Sequence, residues 1–110
     1  DPIIAQCTVD ILPGDTGRSL YDKCTDAGIK LFKKELSGIL SGKAVSRKQV
    51  TGYKTKYYKR EFPSREIDFT KTGEEIYNHI RAMVFEPFPP PYFYIGNKKF
   101  IVVEDMVEDK

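Results

Sequence analysis

The stretch from Lys43 to Arg60 has the strongest chemical character in the chain. It carries seven Lys or Arg side chains and no acid, with Tyr53, Tyr57 and Tyr58 set among them. Cations attract phosphate and tyrosine faces stack on bases, which together suit a nucleotide or a single-stranded nucleic acid. The same composition also describes a solvated linker whose charge keeps it soluble, and both readings stand. A second concentration is the run from Phe85 to Tyr94, nine of whose residues are aromatic or proline. Such a run makes an aromatic wall for a flat ring, a subunit interface in which aromatics are enriched, or a packed corner.

Other chemically suggestive residues fit bland roles better. His79 is the only histidine and has no Cys, Ser or carboxylate placed by sequence to activate it, so it is expected at a helix surface or boundary rather than in acid–base work. Cys7 and Cys24 are expected on apolar faces of a strand and a helix, as small buried hydrophobes. They lack metal-ligand spacing, and two are too few for a disulfide scaffold. Gly14-Asp15-Thr16-Gly17 has a phosphate-loop flavour without the Walker lysine or a G-x-G-x-x-G run, and helix capping accounts for it. Glu74-Glu75 suits a helix N-terminus, where carboxylates complement the dipole. Nothing forms a catalytic pair, and no metal site is expected.

The elements that would position these groups follow from periodicity. Ile3 to Leu12 alternates with period two and predicts a strand with one strongly apolar face. Pro13 to Thr16 ends it, and Asp15 or Thr16 caps a helix in which Leu20, Cys24, Ala27, Leu31, Ile39 and Leu40 recur at helical spacing. Gly28 inside that helix is either a tolerated weak point or a close approach to a neighbouring backbone. Ser37 to Gly42 ends the helix, and residues 43–60 show no period and read as extended linker. Ile67-Asp68-Phe69 is a short extended piece. Thr72-Gly73-Glu74-Glu75 has capping-box spacing for a second helix with Ile76, Ile80 and Met83 on one face. The prolines at 87, 89, 90 and 91 stop it. Tyr92–Ile95 and Lys98–Val103 flank Gly96-Asn97 and predict a hairpin. The fold class is therefore α+β: strand, long helix, basic linker, second helix, β-hairpin.

Composition is that of a globular domain. The 110 residues are 40% hydrophobic and 31% charged, with net charge +2, so bulk charge names no partner. No apolar run approaches the ~20 residues that cross a bilayer, and no signal peptide opens the chain. A cytoplasmic protein without membrane contact is expected. The chain opens Asp-Pro-Ile-Ile directly into strand-like sequence, which reads as the middle of a longer pattern.

Several stretches taken in order resemble one family. Ile3-Ile4-Ala5-Gln6 is followed by Asp15-Thr16 and by Ser19-Leu20-Tyr21-Asp22-Lys23-Cys24. Tyr57-Tyr58-Lys59-Arg60, Ile67-Asp68-Phe69 and Glu75-Ile76-Tyr77-Asn78-His79-Ile80-Arg81-Ala82 continue the match, and Phe88 to Lys99 completes it. These marks resemble the later half of folate-dependent formyltransferases, nearer the nucleotide-sugar N-formyltransferases than methionyl-tRNA formyltransferase, over residues 1–103. The resemblance implies a remnant of a Rossmann-like domain plus the segment after it. It divides the chain into a last strand and helix (1–42), a basic linker (43–66) and a C-terminal helix and hairpin (67–110), one compact unit overall.

In that family the donor is N10-formyltetrahydrofolate, and an Asn, a His and an Asp of the Rossmann-like domain serve the amine's attack and the oxyanion. None of the three maps onto this chain. Asp1 matches a position beside the strand rather than the catalytic carboxylate, and His79 matches a helix position. The resemblance thus implies no catalytic residue and no cofactor-binding residue here, and no formyl transfer by this chain alone. Tyr57, Tyr58, Lys59, Arg60 and Arg81 are the candidate substrate contacts, with Tyr92 and Tyr94 for stacking or dimer contacts. An apolar strand and helix face without their sheet predict a homodimer. A non-catalytic dimerising module and single-stranded nucleic-acid binding through residues 43–60 are the alternative functions; the second is the less expected.

Overall fold

The structure, a computed structural model, describes residues 2–50 and 62–103. Its elements in chain order are helix α1 (Gly17–Leu40), helix α2 (Gly73–Met83) and strands β1 (Tyr92–Ile95) and β2 (Lys98–Ile101). The fold is α+β, as the periodicities require. The residues cluster into two units, one of 1–10 with 22–62 and one of 11–21 with 63–110.

Local chemistry sets the boundaries of both helices. At the head of α1 the Thr16 hydroxyl accepts from Ser19 N at 3.1 Å, and Ser19 Oγ accepts from Thr16 N at 2.8 Å. This reciprocal pair satisfies two N–H groups that a helix start leaves open. Gly42 stops the helix at the other end, with φ of +73°, a conformation that costs a Cβ-bearing residue about 1–2 kcal/mol. Lys43 N and Ala44 N then both reach the Gly38 carbonyl, at 2.9 and 3.0 Å. At α2 the predicted capping box forms in full: Thr72 Oγ1 accepts from Glu75 N, and Glu75 Oε2 from Thr72 N.

The hairpin has the predicted turn. Gly96 takes φ of +59°, and Tyr92 pairs with Ile101, Phe93 with Phe100, Tyr94 with Lys99 and Ile95 with Lys98. β2 ends at Ile101, two residues before the predicted limit. On the other side of β1, Ile67 N donates to Tyr92 O at 2.8 Å and Tyr92 N to Arg65 O at 3.0 Å, so the short extended piece adds a parallel bridge. Pro91, Ile67 and Met83 are the buried apolar residues of this unit among those described.

Two expectations are corrected in the other unit. Residues 3–12 form no strand; one antiparallel bridge ties Ile3 to Arg47, with backbone bonds of 2.7 and 2.8 Å, and the Arg47 guanidinium donates to Gln6 Oε1. Alternation marks a segment able to be a strand, but a strand exists only where a partner ladder does, and here the ladder is a single rung. Cys7 and Cys24 are accordingly exposed rather than buried. The predicted stripe on α1 is only partly covered: no residue of the helix is buried, Leu20, Ala27 and Leu31 are half-buried, and Cys24, Ile39 and Leu40 are exposed, as are Ile29 and Phe32, which widen it. Gly28 meets no atom within 4 Å of where a Cβ would be, which selects the weak-point reading. Among the described residues no helix is long and apolar enough to cross a membrane.

Candidate functional site

The unit of residues 11–21 and 63–110 brings the start of α1 against the end of α2. Asp15 is its buried polar group among the described residues, 7% exposed. Its carboxylate accepts from Leu12 N and from Ser19 Oγ, each at 2.8 Å, which rigidifies the turn before α1. Helix α2 binds the same turn from outside. Arg81 donates to the carbonyls of Leu12 and Asp15 at 3.1 and 3.0 Å, and Tyr77 Oη donates to Pro13 O at 3.0 Å. Arg81 is further held by Asn78 Oδ1 at 3.0 Å and lies over the Tyr77 ring. The candidate substrate arginine is therefore engaged with backbone carbonyls of its own unit.

At Gly17 the start of α1 lies against the end of α2. A Cβ there would run into the Ala82 carbonyl oxygen and lie 3.3 Å from Val84 O. The absence of that carbon lets Arg18 N donate to Val84 O at 2.9 Å, and the Arg18 side chain is thereby brought beside the aromatic–proline corner.

That corner borders an open-sided cavity of about 650 Å3, large enough for a drug-sized ligand. Phe85, Phe88, Pro90, Pro91 and Ile101 supply most of the apolar wall, with Glu86 and Arg18 as its charged members. Phe85 is its hub. Tyr21 and Phe88 meet its ring edge-on at centroid distances of 5.1 and 5.4 Å, geometries favourable to the ring quadrupoles. The Arg18 guanidinium stands 5.6 Å from the same centroid and reaches Glu86 O at 3.5 Å. A planar cation against aromatic faces suits a flat ring bearing negative charge.

A smaller cavity of about 190 Å3 is lined by Ile67, Asp68, Lys71, Glu75, Ile76 and His79. His79 lies half-buried at the edge of α2, as expected, with Nε2 buried and unpartnered. The Asp68 carboxyl is held below its ordinary value, first by the Thr70 hydroxyl at 2.6 Å, then by Thr70 N at 3.0 Å, with Lys71 adding a smaller pull. Among the described residues no group of three or more His, Cys, Asp or Glu could hold a metal ion.

The remaining candidates divide. Tyr57, Tyr58, Lys59 and Arg60 lie outside the described residues. Tyr92 and Tyr94 share one face of β1, edge-to-face at 5.8 Å, with Lys99 Nζ 4.2 Å from the Tyr92 centroid. Neither lines the larger cavity, whereas Phe85 and Phe88 of the flagged corner do. Arg18 was not a candidate. It lies 67 positions before Phe85, and no local spacing joins the two.

These features define an α+β module with a ring-sized, arginine-edged pocket. A family model described as "Formyl transferase, C-terminal domain" matches residues 63–110. Methionyl-tRNA formyltransferases of Bacillus thuringiensis (strain Al Hakam) and Bacillus cereus (strain B4264) are 39% identical over 90 residues, covering 82% of this chain and 28% of each relative. Among solved structures, a 4-N formyltransferase from Francisella tularensis matches with a TM-score of 0.80 and 26% identity, over 94% of this chain and 44% of that one. These likenesses support a relationship to the C-terminal part of the formyltransferase family, and residues 63–110 match the model of its C-terminal domain. The chain spans little more than a quarter of the length of the methionyl-tRNA formyltransferases it matches.

Proposed function

We propose that this chain supplies the acceptor side of N-formyl transfer, and that the acceptor is a nucleotide-linked amino sugar. The observation that carries the reading is the cavity at Phe85 and Phe88 with Arg18 at its wall. It offers faces for a flat base and a cation for the attached phosphate. The likeness to a 4-N formyltransferase over 94% of the chain supports the sugar, since a locant of 4 suits a ring amine better than the α-amine of methionine. Tyr57, Tyr58, Lys59 and Arg60, outside the described residues, stay acceptor candidates on sequence grounds alone. The donor is read as N10-formyltetrahydrofolate by resemblance, a co-substrate for which no residue of this chain is assigned.

What the chain contributes is binding and orientation. Seating the base against an apolar wall fixes the acceptor, which lowers the entropic barrier to attack by the amine. With no catalytic Asn, His or Asp matched in the sequence, the 110-residue chain by itself is expected to bind acceptor and not to formylate it.

Identity to methionyl-tRNA formyltransferases favours a second reading, in which the amine is carried on a charged tRNA. Titration separates the two. Saturable binding of a nucleotide-linked 4-amino sugar, with charged initiator tRNA binding only weakly and losing affinity steeply with salt, supports the sugar. Tight, salt-resistant tRNA binding with none to the sugar nucleotide overturns it. Formyl transfer by the purified chain alone would contradict the acceptor-only role.

A further inference from the structure

We infer that Arg18 is the specificity-determining residue for the acceptor's phosphate, and that Gly17 is the positioning residue that seats it; both inferences rest on the acceptor reading above. Three observations carry them. Arg18 is the charged donor in the wall of the larger cavity, its guanidinium 5.6 Å from the Phe85 centroid, so a base packed on the Phe85–Phe88 corner would place its attached phosphate within reach of a planar, bidentate partner.

Arg18 also occupies its place against local preference. It is the second residue of α1, and the first turn of that helix holds no acid. A cation there meets the positive end of the helix dipole, which is locally unfavourable. Residues that break a local rule are expected where function asks for them.

The third observation is the geometry that brings Arg18 in. With no side-chain carbon at Gly17, α1 lies against the Ala82 carbonyl, and Arg18 N bonds Val84 O at 2.9 Å. Asp15 and Ser19 hold the preceding turn in register. A methyl group at residue 17 would push the start of α1 away from α2 and carry the guanidinium out of the wall.

Titration calorimetry on the full 110-residue chain with the four common nucleosides and their 5′-diphosphates tests this. The expected result is that a diphosphate binds at least tenfold tighter than its nucleoside, in keeping with a charge-assisted bond. Arg18→Gln should bring the diphosphate down to the level of the nucleoside while leaving nucleoside affinity within about twofold. Arg18→Lys should restore part of the difference. Gly17→Ala should lose the same preference; because that variant can unfold, circular dichroism accompanies it and Arg18→Gln carries the decision. Nucleosides that bind with no diphosphate preference, or a preference that survives Arg18→Gln, overturn the inference and leave the acceptor reading standing. Binding of neither class overturns both.

Discussion

Two glycines of α1 have opposite meanings, and substitution by alanine separates them. At Gly17 a Cβ meets backbone carbonyls that cannot rotate aside, so Gly17→Ala should cost about 1–3 kcal/mol, the range for forcing atoms into a packed site. At Gly28 there is open space and a helical backbone, so Gly28→Ala should raise stability by about 1 kcal/mol, the propensity difference. Urea denaturation of both variants checks the pair, and equal effects of the same sign would contradict the geometry. Asp68 gives a pH expectation. Its folded value is lowered by the Thr70 bonds, so its stabilising contribution is present above the ordinary carboxylate value and is lost as pH falls through the lowered one. NMR titration of the Asp68 carboxyl should show a midpoint below 3.8. Thr70→Val should raise that midpoint by removing the larger of the two bonds; an unmoved midpoint would assign the lowering to another cause.

At the level of elements, the second helix owes its start to two side chains. Thr72 and Glu75 satisfy each other's backbone N–H groups, and Thr72→Ala should destabilise the unit by about 1 kcal/mol. The loss should appear as faster amide exchange in the first turn of α2, with β1 and β2 unaffected. The hairpin depends on Gly96 in the same local way, since its φ of +59° is costly for any residue with a Cβ. These features were legible in sequence because capping boxes and tight turns are made by neighbours a few residues apart. The strand at residues 3–12 was not, because alternation reports what a segment could pair with and the pairing itself is supplied from elsewhere.

At the scale of the molecule, the exposed apolar side chains of α1 bear on association. Ile29 and Phe32 are 49% and 58% exposed, and Leu40 is 78% exposed. Full burial of such a side chain is worth about 1.5–3 kcal/mol, of which each forgoes roughly its exposed share, and a patch of this kind favours association. We propose a homodimer that covers it. Sedimentation velocity should show a species of twice the chain mass at micromolar concentration, and Phe32→Lys should shift it toward the monomer. A wild-type chain that stays monomeric throughout that range would remove the proposal.

What the amino-acid order determined alone was whatever short-range chemistry can write: both helices and their caps, the hairpin and its turn, the α+β class, and an ordered set of motifs that marks a formyltransferase relative. It also singled out the corner from Phe85 to Tyr94 as a place for a ring, since so many aromatics and prolines in a row announce themselves. Tertiary structure decided which of those groups act together. It tied Arg81, a candidate for substrate, to the carbonyls of Leu12 and Asp15, and it set Arg18 beside Phe85 across 67 residues of chain. The physical reason is that a cavity is a property of contacts between segments distant in sequence: no period or spacing within one segment encodes which other segment will close over it.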